Sequence, residues 1–94
     1  MKMKHLTAYI EKFNEAFSPD YRLIIWGPYV THDSKINFGL DLQLLVTGGY
    51  LTCLIVNDVS PDLTEENIDA TELRIIDAFK KVDFYQYLKR WKEN

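Results

Sequence analysis

Residues 36–57 constrain this chain more than any other stretch. Ile36, Phe38, Leu40, Leu42, Leu44 and Val46 alternate with Asn37, Gly39, Asp41, Gln43, Leu45 and Thr47. Successive side chains of a strand point to opposite faces, so a period of two held this long predicts a strand with one apolar and one mixed face. Gly48-Gly49 follows, and glycine readily adopts the positive φ angles of a two-residue hairpin turn. Residues 50–57 return as the next strand. With Thr47 set opposite Tyr50, Val46 falls beside Leu51, Leu44 beside Cys53 and Leu42 beside Ile55. This register turns Cys53 toward the apolar side. On the second face it groups Asp41, Gln43, Leu45 and Thr47 with Val56, Leu54, Thr52 and Tyr50, around an apolar centre of Leu45, Leu54 and Val56.

The flanking segments read as follows. Leu6, Tyr9, Ile10, Phe13, Ala16 and Phe17 recur at helical spacing, predicting a helix over 4–17. Ser18-Pro19-Asp20 ends it, because proline disfavours helical geometry in the residue before it. Residues 21–26 are rich in strand formers on both faces. Gly27-Pro28 then marks a strand end, an edge or a bulge, since proline cannot donate to a sheet ladder. Residues 29–35 read as a loop. Ser60-Pro61 resembles a helix cap followed by proline at the first helical position. Asp69 with Glu72 forms an internal capping pair, which sets 62–68 apart as a short helix. Leu73, Ile76, Phe79 and Val82 make one stripe. Phe84, Leu88 and Trp91 make another at a different phase, behind an Asp83/Gln86 capping pair, so a kink is expected near Val82-Asp83. The expected fold is α+β in the order α-β-β-β-α(α). It is a three-stranded antiparallel sheet with the N-terminal helix and kinked or split C-terminal helices packed on one face. Ninety-four residues are expected to form one domain, 1–94.

Charge and cysteine usage narrow the function classes. The formal net charge is −3, whereas dedicated nucleic-acid binders usually carry a basic excess. The single cysteine forbids an intrachain disulfide and suits a reducing compartment. No apolar run approaches the roughly 20 residues that span a bilayer. Glu11, Lys12 and Glu15 interrupt the apolar stretch that a secretory signal would need. The expected location is the cytoplasm of a cell or infected host, with no membrane association.

Candidate chemistry is sparse. His5 reads as solvated. Thr31-His32-Asp33-Ser34 holds the residue types of a hydrolase triad, but a triad needs side chains converging from distant segments. In one loop, Asp33 and Ser34 serve turn geometry instead. A buried Cys53 behaves as a small hydrophobe with little thiolate. Two isolated histidines and one cysteine lack metal-ligand spacing. Gly48-Gly49 joins two strands, not the strand and helix of a phosphate loop. Neither a cofactor, a metal nor a catalytic residue is assigned.

Binding features carry more. Asp58, Asp62, Glu65, Glu66, Asp69 and Glu72 fall in one span without Lys or Arg. They form either a solvated helix start, favoured by the helix dipole, or an acidic patch that attracts a basic partner. The C-terminus reverses the sign, with Lys80, Lys81, Lys89, Arg90 and Lys92 among Tyr85, Tyr87 and Trp91. The element order is similar to that of double-stranded-RNA-binding domains. Those place a basic cluster at the start of the last helix, where this chain places its acidic run.

The expected function is therefore a non-enzymatic protein-binding domain: a small acidic regulator or inhibitor of another macromolecule, of the kind phages and mobile elements direct at host enzymes, nucleic-acid enzymes included. The expected partner is a protein with a basic surface, met by Asp62, Glu65, Glu66, Asp69, Glu72, Leu45, Leu54 and Val56. The mixed face or a strand edge also suits a homodimer. One alternative is a nucleic-acid-associated regulator using the basic, aromatic C-terminus. A second is a small ligand-binding or enzyme subunit whose site forms between protomers, around His32, Asp33 and the tyrosines.

Overall fold

The computed structural model describes residues 3–60 and 63–83. The N-terminal periodicity becomes helix α1 (Lys4–Phe17). Three strands follow, β1 (Tyr21–Val30), β2 (Ile36–Val46) and β3 (Gly49–Ser60), then helix α2 (Ile68–Lys80). The strands form one antiparallel sheet in the order β1-β2-β3. The α+β class and the element order are those expected from the sequence.

Helix α1 ends at Ser18, which is extended and donates its N–H to the Asn14 carbonyl. Leu6 and Phe13 are buried, and Tyr9, Ile10 and Phe17 pack beside them. Asn14, which lies off the apolar stripe, has a structural role. Its amide accepts the Leu23 N–H at 2.8 Å and donates to the Leu23 carbonyl at 3.1 Å. It thereby clasps the outer edge of β1, where backbone groups would otherwise lack ladder partners. Gly27-Pro28 proves to be an irregularity within an edge strand. The register shifts between Trp26 and Tyr29, and pairing resumes through Val30 opposite Ile36. Residues 29 and 30, read as loop, thus belong to β1.

The β2–β3 register differs from the expected one. The chain turns through Thr47-Gly48, Gly48 having φ 96°, and Val46 pairs with Gly49. Leu45 then faces Tyr50, Leu44 faces Leu51 and Gln43 faces Thr52. A bulge comes next, because Leu42 pairs with Leu54 and Cys53 is left as the extra residue. One inserted residue reverses the facing of everything after it. Leu54 and Val56, expected on the second face, therefore lie opposite Leu42 and Leu40 and pack against the core. Ile55, expected opposite Leu42, lies opposite Asp41 on the other face. Cys53 is buried as expected, but through the bulge; its thiol donates to the Leu42 carbonyl at 3.3 Å.

Between β3 and α2 the chain does not start a helix at Ser60, which is still in β3. The preceding turn is closed by a reciprocal pair. Asn67 Oδ1 accepts the Thr64 N–H at 2.8 Å, and Thr64 Oγ1 accepts the Asn67 N–H at 3.3 Å. Residues 65–67 form a turn, not a separate helix. The buried face of α2 is Ile68, Thr71, Glu72, Ile75, Ile76 and Phe79. Leu73, placed in the apolar stripe by spacing, is exposed, and Ile75 takes its role. The helix stops at Lys80 and a turn follows at 81–82, close to the kink expected at Val82-Asp83. The second C-terminal stripe lies outside the described residues.

The core lies between the two helices and one sheet face. It joins Leu6 and Phe13 of α1, Leu23 of β1, Phe38, Leu40, Leu42 and Leu44 of β2, Cys53 of β3, and Ile75, Ile76 and Phe79 of α2. Phe13 and Tyr9 meet the Phe79 ring edge-on, with centroids 5.9 and 6.1 Å away. Each fully buried side chain of this size contributes roughly 1.5–3 kcal/mol. The even-numbered positions of β2 thus supply much of the core, as the alternation implies.

Candidate functional site

The odd-numbered positions of β2 point to the face the described helices leave uncovered. By register this face carries Arg22, Ile24, Trp26 and Tyr29 from β1. Asn37, Gly39, Asp41, Gln43 and Leu45 come from β2, and Tyr50, Thr52, Ile55, Asn57 and Val59 from β3. A polar row crosses its middle. The Arg22 guanidinium carbon stands over the Tyr50 ring, 3.6 Å from the centroid, and Arg22 donates Nε–H to Gln43 Oε1 at 2.7 Å. Gln43 Nε2 donates to Asp41 Oδ2 at 3.0 Å, and the Thr52 hydroxyl donates to the same oxygen at 3.2 Å. Tyr50 completes the row by donating its hydroxyl to the Pro19 carbonyl at 2.9 Å.

Two features of this row are unusual for a solvent-side sheet face. Asp41 is only 7% exposed and Gln43 only 9%. Asp41 Oδ1 is buried and has no hydrogen-bond partner among the described residues. Its cross-strand neighbours are Ile24 and Ile55, which are 36% and 40% exposed. Tyr29, Leu45 and Val59 extend the exposed apolar surface, and Trp26 meets Tyr29 edge-on with centroids 5.0 Å apart. A small apolar collar therefore surrounds a buried carboxylate. Of the residues expected to form the second-face centre, Leu45 remains there. Leu54 and Val56 do not.

The acidic run is not one patch. Glu72 is fully buried. Its Oε2 accepts the Leu6 N–H of α1 at 2.7 Å, so it caps the neighbouring helix, whose own N-cap residue, Met3, offers no side-chain bond. The expected pairing of Glu72 with Asp69 is replaced by this contact. Asp69 instead approaches His5, Oδ1 to Nε2 at 3.3 Å. Asp58 pairs with Arg74 at 3.1 Å. Glu65 and Glu66 remain as exposed carboxylates in the turn before α2. Asp62 lies outside the described residues. Sequence reasoning missed Asp41 as the buried acid of the sheet. The available signal was the one charged residue of a long strand, placed at its centre.

The loop holding His32 is a hydrogen-bonded turn. Thr31 donates its hydroxyl to Asp33 and accepts the Lys35 N–H at 3.0 Å, and Ser34 has φ 65°. The Thr31 hydrogen bond holds the Asp33 carboxyl below its usual range. His32 is exposed. Burial pushes the Cys53 thiol up to about 11, with the Asp41 charge adding to the shift. Among the described residues no three His, Cys, Asp or Glu side chains are grouped to hold a metal, and no helix is long and apolar enough to cross a membrane. Of the basic, aromatic C-terminus, Lys80 and Lys81 are described; Tyr85, Tyr87, Lys89, Arg90, Trp91 and Lys92 lie outside the described residues. No protein-family description matches the chain, and neither the characterised proteins nor the solved structures with which it was compared returned a match.

Proposed function

We propose that this chain is a non-enzymatic protein-binding domain, a small acidic regulator or inhibitor that docks a basic protein partner on the sheet face that the described helices leave open. The observation that carries this reading is the face itself: Ile24, Tyr29, Leu45, Ile55 and Val59 are exposed around the buried Asp41–Gln43 pair. Exposed apolar side chains gathered on one face of a small domain are a common mark of an interaction surface. The net charge of −3 favours a basic partner by steering its approach.

The test uses immobilised protein to capture partners from an extract of its own cell, followed by variants. Replacing Ile24 and Ile55 together by serine is expected to abolish capture while the far-ultraviolet circular dichroism stays unchanged. Reversing Glu65 and Glu66 to lysine is expected to slow association without abolishing it. Loss of capture in the charge-reversed protein alone would move the binding surface to the turn before α2 and refute the sheet-face reading.

A further inference from the structure

The placement of Asp41 identifies a partner chemistry. A buried carboxylate is costly unless its oxygens are satisfied and its charge is matched. Here one oxygen takes two neutral donors, Gln43 Nε2 and Thr52 Oγ1, which hold the carboxylate in place. The other takes none among the described residues. The only cation of this face among the described residues is Arg22, whose Nε donates to Gln43 and whose guanidinium lies on Tyr50. No described Lys or Arg forms an ion pair with Asp41. The flanking Ile24 and Ile55 are partly exposed, and Trp26 is the next residue of β1 on the same face, opposite Gly39. A positioned anion beneath an apolar and aromatic collar is complementary to one side-chain type in particular. Guanidinium is flat, weakly hydrated and permanently charged, so it enters an apolar collar at less cost than an ammonium and stacks on indole.

We propose that Asp41 is the anchor of the docking face and accepts an arginine side chain of the protein partner at Oδ1, between Ile24, Ile55 and Trp26. The anchor rests on the sheet-face reading above. Seating the arginine displaces the ends of the two isoleucines and supplies the counter-charge and hydrogen bond that the fold leaves out. An acid at the centre of the face thus makes the site selective, because a partner lacking the cation leaves Oδ1 unmatched.

Titration of ¹⁵N-labelled protein with ethylguanidinium tests the anchor without the partner. Saturable shifts are expected in the amides of Ile24, Asp41, Thr52 and Ile55, larger than with butylammonium and absent with neutral ethylurea. They should vanish in Asp41→Asn. Shifts scattered over the surface, equal with ethylurea or retained in Asp41→Asn would overturn the proposal. Ile55→Lys gives a second reading should Asp41→Asn fail to fold. A lysine beside Asp41 supplies the cation internally, so it is expected to raise the thermal midpoint by a few degrees and to abolish the ethylguanidinium shifts. A lower midpoint with the shifts intact would refute the anchor. Sedimentation of the unliganded protein completes the test. A dimer dissolved by Asp41→Asn would make the occupant a second copy and overturn the distinct partner. A failed titration combined with capture lost in the Ile24/Ile55 serine variant would refute the anchor while leaving the docking face intact.

Discussion

Glu72 is a charged side chain in the middle of a buried helix face, and its placement shows how one residue joins two elements. Its carboxylate accepts the third N–H of α1, a donor that has no partner within its own helix. Glu72→Ala is expected to leave that N–H unsatisfied in the interior and to lower unfolding free energy by about 1–3 kcal/mol, read by urea denaturation. Glu72→Gln, which keeps an acceptor, should recover part of the loss; equal losses would mean the hydrogen bond contributes nothing. Cys53 gives a pH signature at the same scale. Its thiol is raised from 9.0 to about 11 in the folded chain, by burial first and the Asp41 charge second. The unfolded chain therefore releases this proton first. Stability is unaffected by this group below pH 9 and falls as pH rises from about 9 to about 11. Cys53→Ala should flatten the decline relative to the parent in parallel denaturation curves; identical slopes would remove the thiol from the titration.

At the scale of elements, the bulge in β3 divides the strand into two segments of opposite facing. Before it, Tyr50 and Thr52 share the open face with Gln43 and Leu45; after it, Ile55, Asn57 and Val59 do. Leu54→Lys then forces a charge under the helices and is expected to cost about 2–3 kcal/mol or more, whereas the neighbouring Ile55 tolerates polar replacement. Thermal unfolding of the two variants side by side decides the register, and the reverse ranking would restore the unbulged pairing. Gly39 ties β2 to β3 more tightly than an ordinary strand residue could. A Cβ there would stand 2.0 Å from the Val56 carbonyl oxygen and 2.6 Å from the Asn57 Cα. Both obstacles are backbone, so Gly39→Ala must part the strands. An expected loss of about 1–3 kcal/mol, with faster amide exchange at residues 54–58, checks this close approach.

Across the whole molecule, the two faces of the sheet have different work. One face is buried by α1 and α2 and holds the core. The other presents the Arg22–Gln43–Asp41–Thr52 row and its apolar collar. The charge map follows a similar division. The described acids of the run are spread over a helix cap, a contact with His5, an ion pair with Arg74 and an exposed turn. Binding by the face opposite the described helices should therefore combine a modest electrostatic steering term with a salt-resistant desolvated contact. Raising ionic strength is expected to slow association several-fold while dissociation changes little. A complex whose dissociation accelerates steeply with salt would instead be held by exposed surface charge.

Local periodicity determined much of this protein. The stripe in residues 4–17, the alternation from Ile36 to Val46 and the turn residues near Gly48 specify a helix, a long central strand and a hairpin, because these signals depend only on neighbours in the chain. They also placed Phe38, Leu40, Leu42 and Leu44 inside and put an acid and an amide on the opposite face. Tertiary structure decided what depends on distant partners. The bulge at Cys53 arises from how β3 fits β2, and it moved Leu54 and Val56 into the core and Ile55 out of it. Glu72 reads as one more acid of a solvated run until α1 brings an unsatisfied N–H to it. Asp41 reads as one polar position among several until β1 and β3 flank it with isoleucines. The side-chain order of a strand is written in its sequence, whereas the partner of a buried polar group is set by whichever element folds against it.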